Sequence, residues 1–173
     1  GQLLARDWCG IIIVVDIGLG AHAAYDDGAP LLADAEWVRS VVPRIGADAH
    51  KGVRGKVVII GGAHGMAGAV LLAGRAALRS GVGLVKLVVD PANIELVQRS
   101  LPEALAAPWP MDDETAVELG AWGDALLVGP GLGRGAHAEA LVGRCLQGST
   151  VPVVIDADAL NAFAGEPAAF APL

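Results

Sequence analysis

Lys56-Val57-Val58-Ile59-Ile60-Gly61-Gly62-Ala63-His64-Gly65-Met66-Ala67-Gly68-Ala69 joins a short apolar run, a glycine-rich turn and the start of a small-residue helix. The apolar run has the length and unbroken character of a strand buried on both faces. Beyond the turn, Val70, Leu71, Gly74, Ala77 and Leu78 fall on one helical stripe with Arg75 and Arg79 outside it, which predicts a helix over residues 67–80. The glycines therefore sit where a strand ends and a helix begins. Glycine there permits positive φ and close approach of a ligand to backbone. The helix start offers N–H groups without intrahelical partners, which suit an anion. Tight packing alone would also place glycine at such a turn, so the turn by itself leaves both readings open.

Working outward, residues 84–89 form a second buried run, and Asp124-Ala125-Leu126-Leu127-Val128 a third that leads into Gly129-Pro130-Gly131-Leu132-Gly133-Arg134-Gly135. Pro152-Val153-Val154-Ile155 is a fourth, ending in Asp156-Ala157-Asp158-Ala159-Leu160-Asn161. Helical patterns separate them: residues 91–99 with Pro91 in the first turn, 112–122 with Asp112 or Asp113 as N-cap, 135–146 and 157–164. Strand, helix, strand order with short turns implies right-handed parallel crossovers. The expectation is a doubly covered, mostly parallel sheet with strands near 56–61, 83–89, 124–129 and 152–156. In such sheets ligands bind at the carboxyl ends of strands. The glycine turns after residues 60 and 128 should thus lie on one edge and flank one cleft with Asp156. Within the second turn Pro130 fixes φ while the glycines let amides face a ligand. The segment lacks the spacing and the downstream acidic residue of a Rossmann fingerprint. Asp156 and Asp158 could orient a ligand or cap the helix that follows; both roles remain open.

Before Lys56 the chain offers a helix over residues 32–42 with Asp34 as a first-turn charge, a loop or linker over 18–30, and a buried strand over 11–15. His50-Lys51-Gly52 lies in a polar lead-in to the first strand, where Lys51 could meet a phosphate or simply be solvated.

Composition narrows the class. With 173 residues and 54% hydrophobic content the chain can bury a sizeable core, and 4% aromatics with 24 glycines suits parallel strands under closely packed helices. No apolar stretch reaches the roughly 18 residues of a membrane helix, and no signal peptide is visible at residue 1. A formal charge of −7 argues against a nucleic-acid surface but not against a phosphate-bearing ligand held by backbone dipoles. Cys9 and Cys145 form no CxxC pair and read as reduced thiols of a cytoplasmic protein, and His22, His50, His64 and His137 have no zinc spacing, so no metal site is expected.

Four ordered motifs, HKG, GGxxGMxGA, GPGLG and DADALN, resemble the NAD(P)H-hydrate dehydratases of the ribokinase-like superfamily over residues 47–173. Gly10-Ile11-Ile12-Ile13-Val14-Val15-Asp16-Ile17-Gly18-Leu19 resembles the last strand of an NAD(P)H-hydrate epimerase domain, which precedes the dehydratase in many bifunctional bacterial chains. The resemblance implies residues 1–30 as an epimerase tail and linker and residues 31–173 as the first part of a dehydratase domain. The fold it implies is a ribokinase-like three-layer α/β sandwich, truncated before its C-terminal nucleotide-binding half. It further implies that Gly65, Gly68, Ala69, Gly131, Gly133, Asp156 and Asn161 border hydrated NADH or NADPH. Val53 stands where the family commonly has Asp after HKG, which weakens a role for that loop.

The family's Pro-His-Xaa-Gly-Glu segment and its Gly-Xaa-Gly-Asp turn, whose aspartate activates the substrate hydroxyl, do not occur in residues 1–173. The catalytic aspartate is accordingly expected beyond Leu173. The intact enzyme would phosphorylate the C6 hydroxyl of the hydrate with ADP or ATP and Mg2+, then eliminate phosphate; it is expected to be a homo-oligomer acting on a small dinucleotide. Two other readings stand beside this one: another ribokinase-like kinase, such as a hydroxyethylthiazole kinase, and a non-catalytic dinucleotide-binding module.

Overall fold

Five parallel strands in the order β3-β2-β1-β4-β5 make the sheet of this α/β protein. The structure is a computed structural model that describes residues 34–42, 45–46, 48–110, 112–147 and 149–164. The chain divides into two units at Pro43/Arg44. In the first unit, helix α1 (Ala35–Val41) is capped by Asp34, whose carboxylate accepts the Glu36 and Trp37 N–H groups at 3.1 and 2.8 Å. Asp34 is therefore an N-cap rather than a first-turn residue. The strand expected over 11–15 and the linker over 18–30 lie outside the described residues.

The second unit contains the sheet. β1 (Lys56–Ile60) leads through α2 (Ala67–Arg79) to β2 (Leu84–Val89) beside it. A 3-10 turn (Pro91–Asn93) and α3 (Ile94–Ser100) then lead to β3 (Leu105–Pro108), which pairs with the outer side of β2. The chain next returns across β1. After α4 (Asp113–Trp122), β4 (Ala125–Val128) pairs with the free side of β1, and α5 (Ala136–Gln147) delivers β5 (Val153–Ile155) to the edge beyond β4. A short helix, α6 (Asp158–Ala162), follows. All four strands expected from apolar runs are present. β3 begins at Leu105, because Ala104 is held in a turn by its N–H bond to Leu101 O at 3.0 Å.

Alternation in the central strands supplies both faces. Ile59, Val85, Leu87 and Val89 pack with Val70 of α2 and with Val97 of α3 and Leu101 just after it, while Val58, Ile60, Val88, Leu126 and Val128 pack with Leu119 of α4 and Leu141 and Val142 of α5. Each fully buried Val, Leu or Ile contributes about 1.5–3 kcal/mol relative to exposure, so two helical layers stabilise what neither could alone. Gly74 allows close approach of α2: a methyl there would lie 3.0 Å from Leu101 Cδ2 and 3.1 Å from Leu87 Cδ2. On the other face, Arg144 donates from Nε to Asp113 at 2.9 Å and from Nη1 to Pro110 O at 3.3 Å, tying α5 to the start of α4.

Candidate functional site

Strand order reverses at β1. The chain runs from β1 outward through β2 and β3, then restarts on the opposite side with β4 and β5. The connections leaving the carboxyl ends of β1 and β4 thus turn to opposite faces and open a crevice between them, the place where open α/β sheets bind ligands. Both glycine turns leave from this point.

The two turns are laced together by backbone. Gly62 N–H donates to Pro130 O at 2.9 Å and Ala63 N–H to Gly131 O at 2.7 Å, while Gly129 N–H donates back to Ile60 O at 2.9 Å. Gly61 is glycine because of this approach: a Cβ there would stand 2.1 Å from Pro130 O. Gly129 combines φ +126° with a Cβ position 1.8 Å from Asp156 O, so no other residue fits where the third strand end closes on the second. Asp156 N–H continues the lacing to Val128 O at 2.9 Å. The three strand ends expected to share an edge do share it.

Two braces under the first turn were not legible in the sequence. Asn93 is 6% exposed, and its Nδ2 donates to Gly62 O at 2.9 Å and Ala63 O at 2.8 Å. Trp109, which follows β3, donates from Nε1 to Gly61 O at 2.8 Å and packs its ring 5.4 Å from that of His137. Consecutive carbonyls of the turn therefore point inward, toward these donors. The only hint was an isolated Trp between Pro108 and Pro110 in a chain poor in aromatics.

The open side of the turn is the start of α2. Its N-cap, Met66, makes no side-chain capping bond, so no side chain competes with a ligand for the first-turn N–H groups. Gly68 lies in that first turn, and a Cβ on Gly65 or Gly68 would meet no atom within 4 Å. Ala69 faces the second turn, since a Cβ on Gly131 would stand 3.1 Å from Ala69 Cβ and 2.8 Å from Met66 O. A Cβ on Gly133 would stand 3.4 Å from Met66 Cε. Asp156 is exposed, and its carboxylate has no hydrogen-bond partner among the described residues. Asn161 is exposed in α6, and its Nδ2 donates to Asp158 Oδ1 at 3.4 Å.

Neither aspartate caps the last helix. The N-cap of α6 is Ala157, and the Asp158 carboxylate instead accepts the Gly133 N–H at 2.9 Å. The His50-Lys51-Gly52 loop is elsewhere. Gly83, which precedes β2, packs on Lys51 O and donates to Gly55 O at 3.1 Å, which places that loop at the amino-terminal edge of the sheet. One length of β1 separates it from the glycine turns, about 16 Å for five residues. A phosphate shared between Lys51 and the glycine turn is incompatible with this arrangement.

Perturbed titrating groups lie away from the crevice. Burial pushes the Cys145 thiol up to about 12. Partial burial, then repulsion from Lys56, lowers Lys86, whose Nζ sits 4.0 Å from the centre of the Trp122 ring. Among the described residues no three His, Cys, Asp or Glu side chains gather to hold a metal ion, and no helix is long and apolar enough to cross a membrane. A groove of about 520 Å3 lined by Arg75, Leu78, Arg79 and residues 100–103 lies at the far end of α2 from the glycine turns.

The sequence profile of the NAD(P)H-hydrate dehydratases matches residues 57–172, which span β1, both glycine turns and the Asp156 segment. The chain belongs to the NAD(P)H-hydrate dehydratase family. Relatives include a bifunctional NAD(P)H-hydrate repair enzyme of Coxiella burnetii, 36% identical over 94% of this chain and 33% of its own length. An ADP-dependent (S)-NAD(P)H-hydrate dehydratase of Lactiplantibacillus plantarum is 38% identical over 73% of this chain and 45% of its own. Among solved structures, an ADP/ATP-dependent NAD(P)H-hydrate dehydratase of Bacillus subtilis co-crystallised with ATP and Mg2+ superimposes with TM-score 0.62 and 34% identity, covering 72% of this chain and 45% of that one. A ribokinase-like superfamily protein of Enterococcus faecalis superimposes with TM-score 0.67 at 27% identity, covering 74% and 45%. This dehydratase-family chain therefore has the ribokinase-like α/β fold and spans about a third to a half of the relatives it matches.

Proposed function

We propose that the laced glycine turns hold hydrated NADH or NADPH as the substrate-binding part of an ADP- or ATP-dependent dehydratase. The intact protein would also carry an epimerase, with residues 1–30 as its tail and linker, residues 31–173 beginning the dehydratase domain, and a cytoplasmic homo-oligomer as the working form. One observation carries the reading. The uncapped start of α2 and the Gly131-Leu132-Gly133 backbone meet at the point where strand order reverses, with the exposed carboxylate of Asp156 beside them.

The arrangement suits the ligand. Helix N–H groups attract the pyrophosphate of a dinucleotide. Glycines at 65 and 68, with open space over their Cα atoms, let that ligand lie against backbone. The site needs no basic side chains for this, which fits a chain of charge −7. The nucleotide and Mg2+ would supply the phosphoryl group that makes the C6 hydroxyl a leaving group. The described residues make no metal site.

Two measurements test the reading. Titrating hydrated NADPH into the chain should quench tryptophan fluorescence saturably, because Trp109 lies directly beneath the first turn; no binding would overturn the assignment. Residues 1–173 given hydrated NADPH, Mg2+ and ADP or ATP should regenerate no NADPH absorbance above background, since they contain no Gly-Xaa-Gly-Asp turn. Robust turnover would show that the catalytic centre lies within these residues.

A further inference from the structure

We propose that Asp158 is a positioning residue for this site: its carboxylate fixes the far limb of the second glycine turn in the form that faces the crevice. Residues 129–135 include four glycines with positive φ. Such a segment gives up more conformational freedom on ordering than any other composition would, so its ties decide its shape. The near limb has several. Gly129 N–H is bound by Ile60 O, Leu132 N–H by Gly129 O, and the carbonyls of Pro130 and Gly131 by the first turn. Beyond Leu132 the hydrogen bonding changes: Gly133 N–H is held by Asp158 Oδ2 at 2.9 Å, across 25 residues of sequence.

The surroundings of Asp158 are arranged for that bond. Ala157 adopts φ +46° and ψ −111°, outside the regions open to a side chain without strain, and this turn carries the chain from β5 into α6. Asp158 stands at the first helical position yet leaves its own helix without a side-chain cap. Its second oxygen is steadied by Asn161 Nδ2 at 3.4 Å. A carboxylate is the acceptor that binds a backbone N–H most strongly. A Cβ on Gly133 would in turn lie 3.4 Å from Met66 Cε and 3.6 Å from Ala63 Cβ, which places this glycine on the wall that faces the start of α2. Asp158 and Asn161 thus act through the loop, whereas Asp156 is left free to meet a ligand directly. That the loop serves a dinucleotide rests on the function proposed above; that Asp158 fixes the loop does not.

The test compares Asp158→Ala and Asp158→Asn with the parent, reading amide hydrogen exchange at Gly133 and binding of NADPH as probe. Losing the acceptor should speed Gly133 exchange about tenfold, the change expected for a hydrogen bond to a charged group, and should weaken NADPH by a similar factor. Asp158→Asn keeps a carbonyl oxygen on the same stem and should stay within about threefold of the parent on both readouts, half or less of the charged bond being lost. Amides of β1 and β4 should exchange as before in both variants. The proposal is overturned if Gly133 exchange is unchanged in Asp158→Ala, if β1 and β4 amides accelerate with it, or if Asp158→Asn is as impaired as Asp158→Ala. A parent that binds no NADPH while Gly133 exchange responds as stated would sink the proposed function and support the positioning role.

Discussion

Gly61→Ala and Gly68→Ala are the same chemical change seven residues apart, and the structure gives them opposite signs. At Gly61 the new methyl would stand 2.1 Å from Pro130 O, a distance no carbon and oxygen share, and the obstacle is backbone that cannot rotate away. Relief requires the two turns to part, which breaks the Gly62–Pro130 and Ala63–Gly131 hydrogen bonds. Two such bonds are worth about 1–3 kcal/mol together, and forced overpacking adds about 1–3 kcal/mol. A loss of about 2–6 kcal/mol is a large share of the 5–15 kcal/mol that holds a typical domain. At Gly68 the methyl meets nothing within 4 Å and sits in the first turn of α2; alanine's helix propensity should add up to about 1 kcal/mol. Urea unfolding followed by circular dichroism reads both. With a slope of about 2 kcal/mol per molar, the Gly61→Ala midpoint should fall by about 1–3 M and that of Gly68→Ala should hold or rise slightly. A Gly61→Ala protein with the parent's midpoint would refute the close approach of the two turns, and with it the shared crevice.

Trp109→Phe keeps the ring in the core but strands Gly61 O, so it should cost about 1–3 kcal/mol in the same assay. Ala157→Gly relieves φ +46° and should raise stability by about 1 kcal/mol, less the entropy glycine adds to the unfolded chain. Cys145 gives a pH dependence: its thiol ionises near 9.0 when unfolded and only at about 12 when folded, so the folded state retains the proton between those values. Stability from this group is complete below pH 9 and declines above it by about 1.4 kcal/mol per pH unit. Thermal melts at pH 8 and pH 10 should show a smaller loss for Cys145→Ala than for the parent.

What the sequence determined by itself was local. Runs such as Val57 to Ile60 and Leu126 to Val128 are buried on both faces, so apolarity alone marks them as strands. Glycine clusters at their ends mark the turns, because positive φ is a property of single residues. The helices followed from spacing, and the cap Asp112 from a side chain that bonds the N–H group three residues on. Tertiary structure decided what these pieces do to one another. Only the return of β4 to the free side of β1 makes two separate turns into one crevice, and that pairing joins residues some 68 apart in the chain. Asn93 and Trp109 were silent for the same reason: each bonds a backbone group 30 to 48 residues away, and a polar side chain without a local partner carries no periodicity to read. Asp158 stood out in the sequence, but its partner Gly133, 25 residues earlier, did not. The HKG loop shows the converse. Its motif stands near the first glycine turn in sequence, but a strand crosses the sheet, so neighbours at its two ends occupy opposite edges.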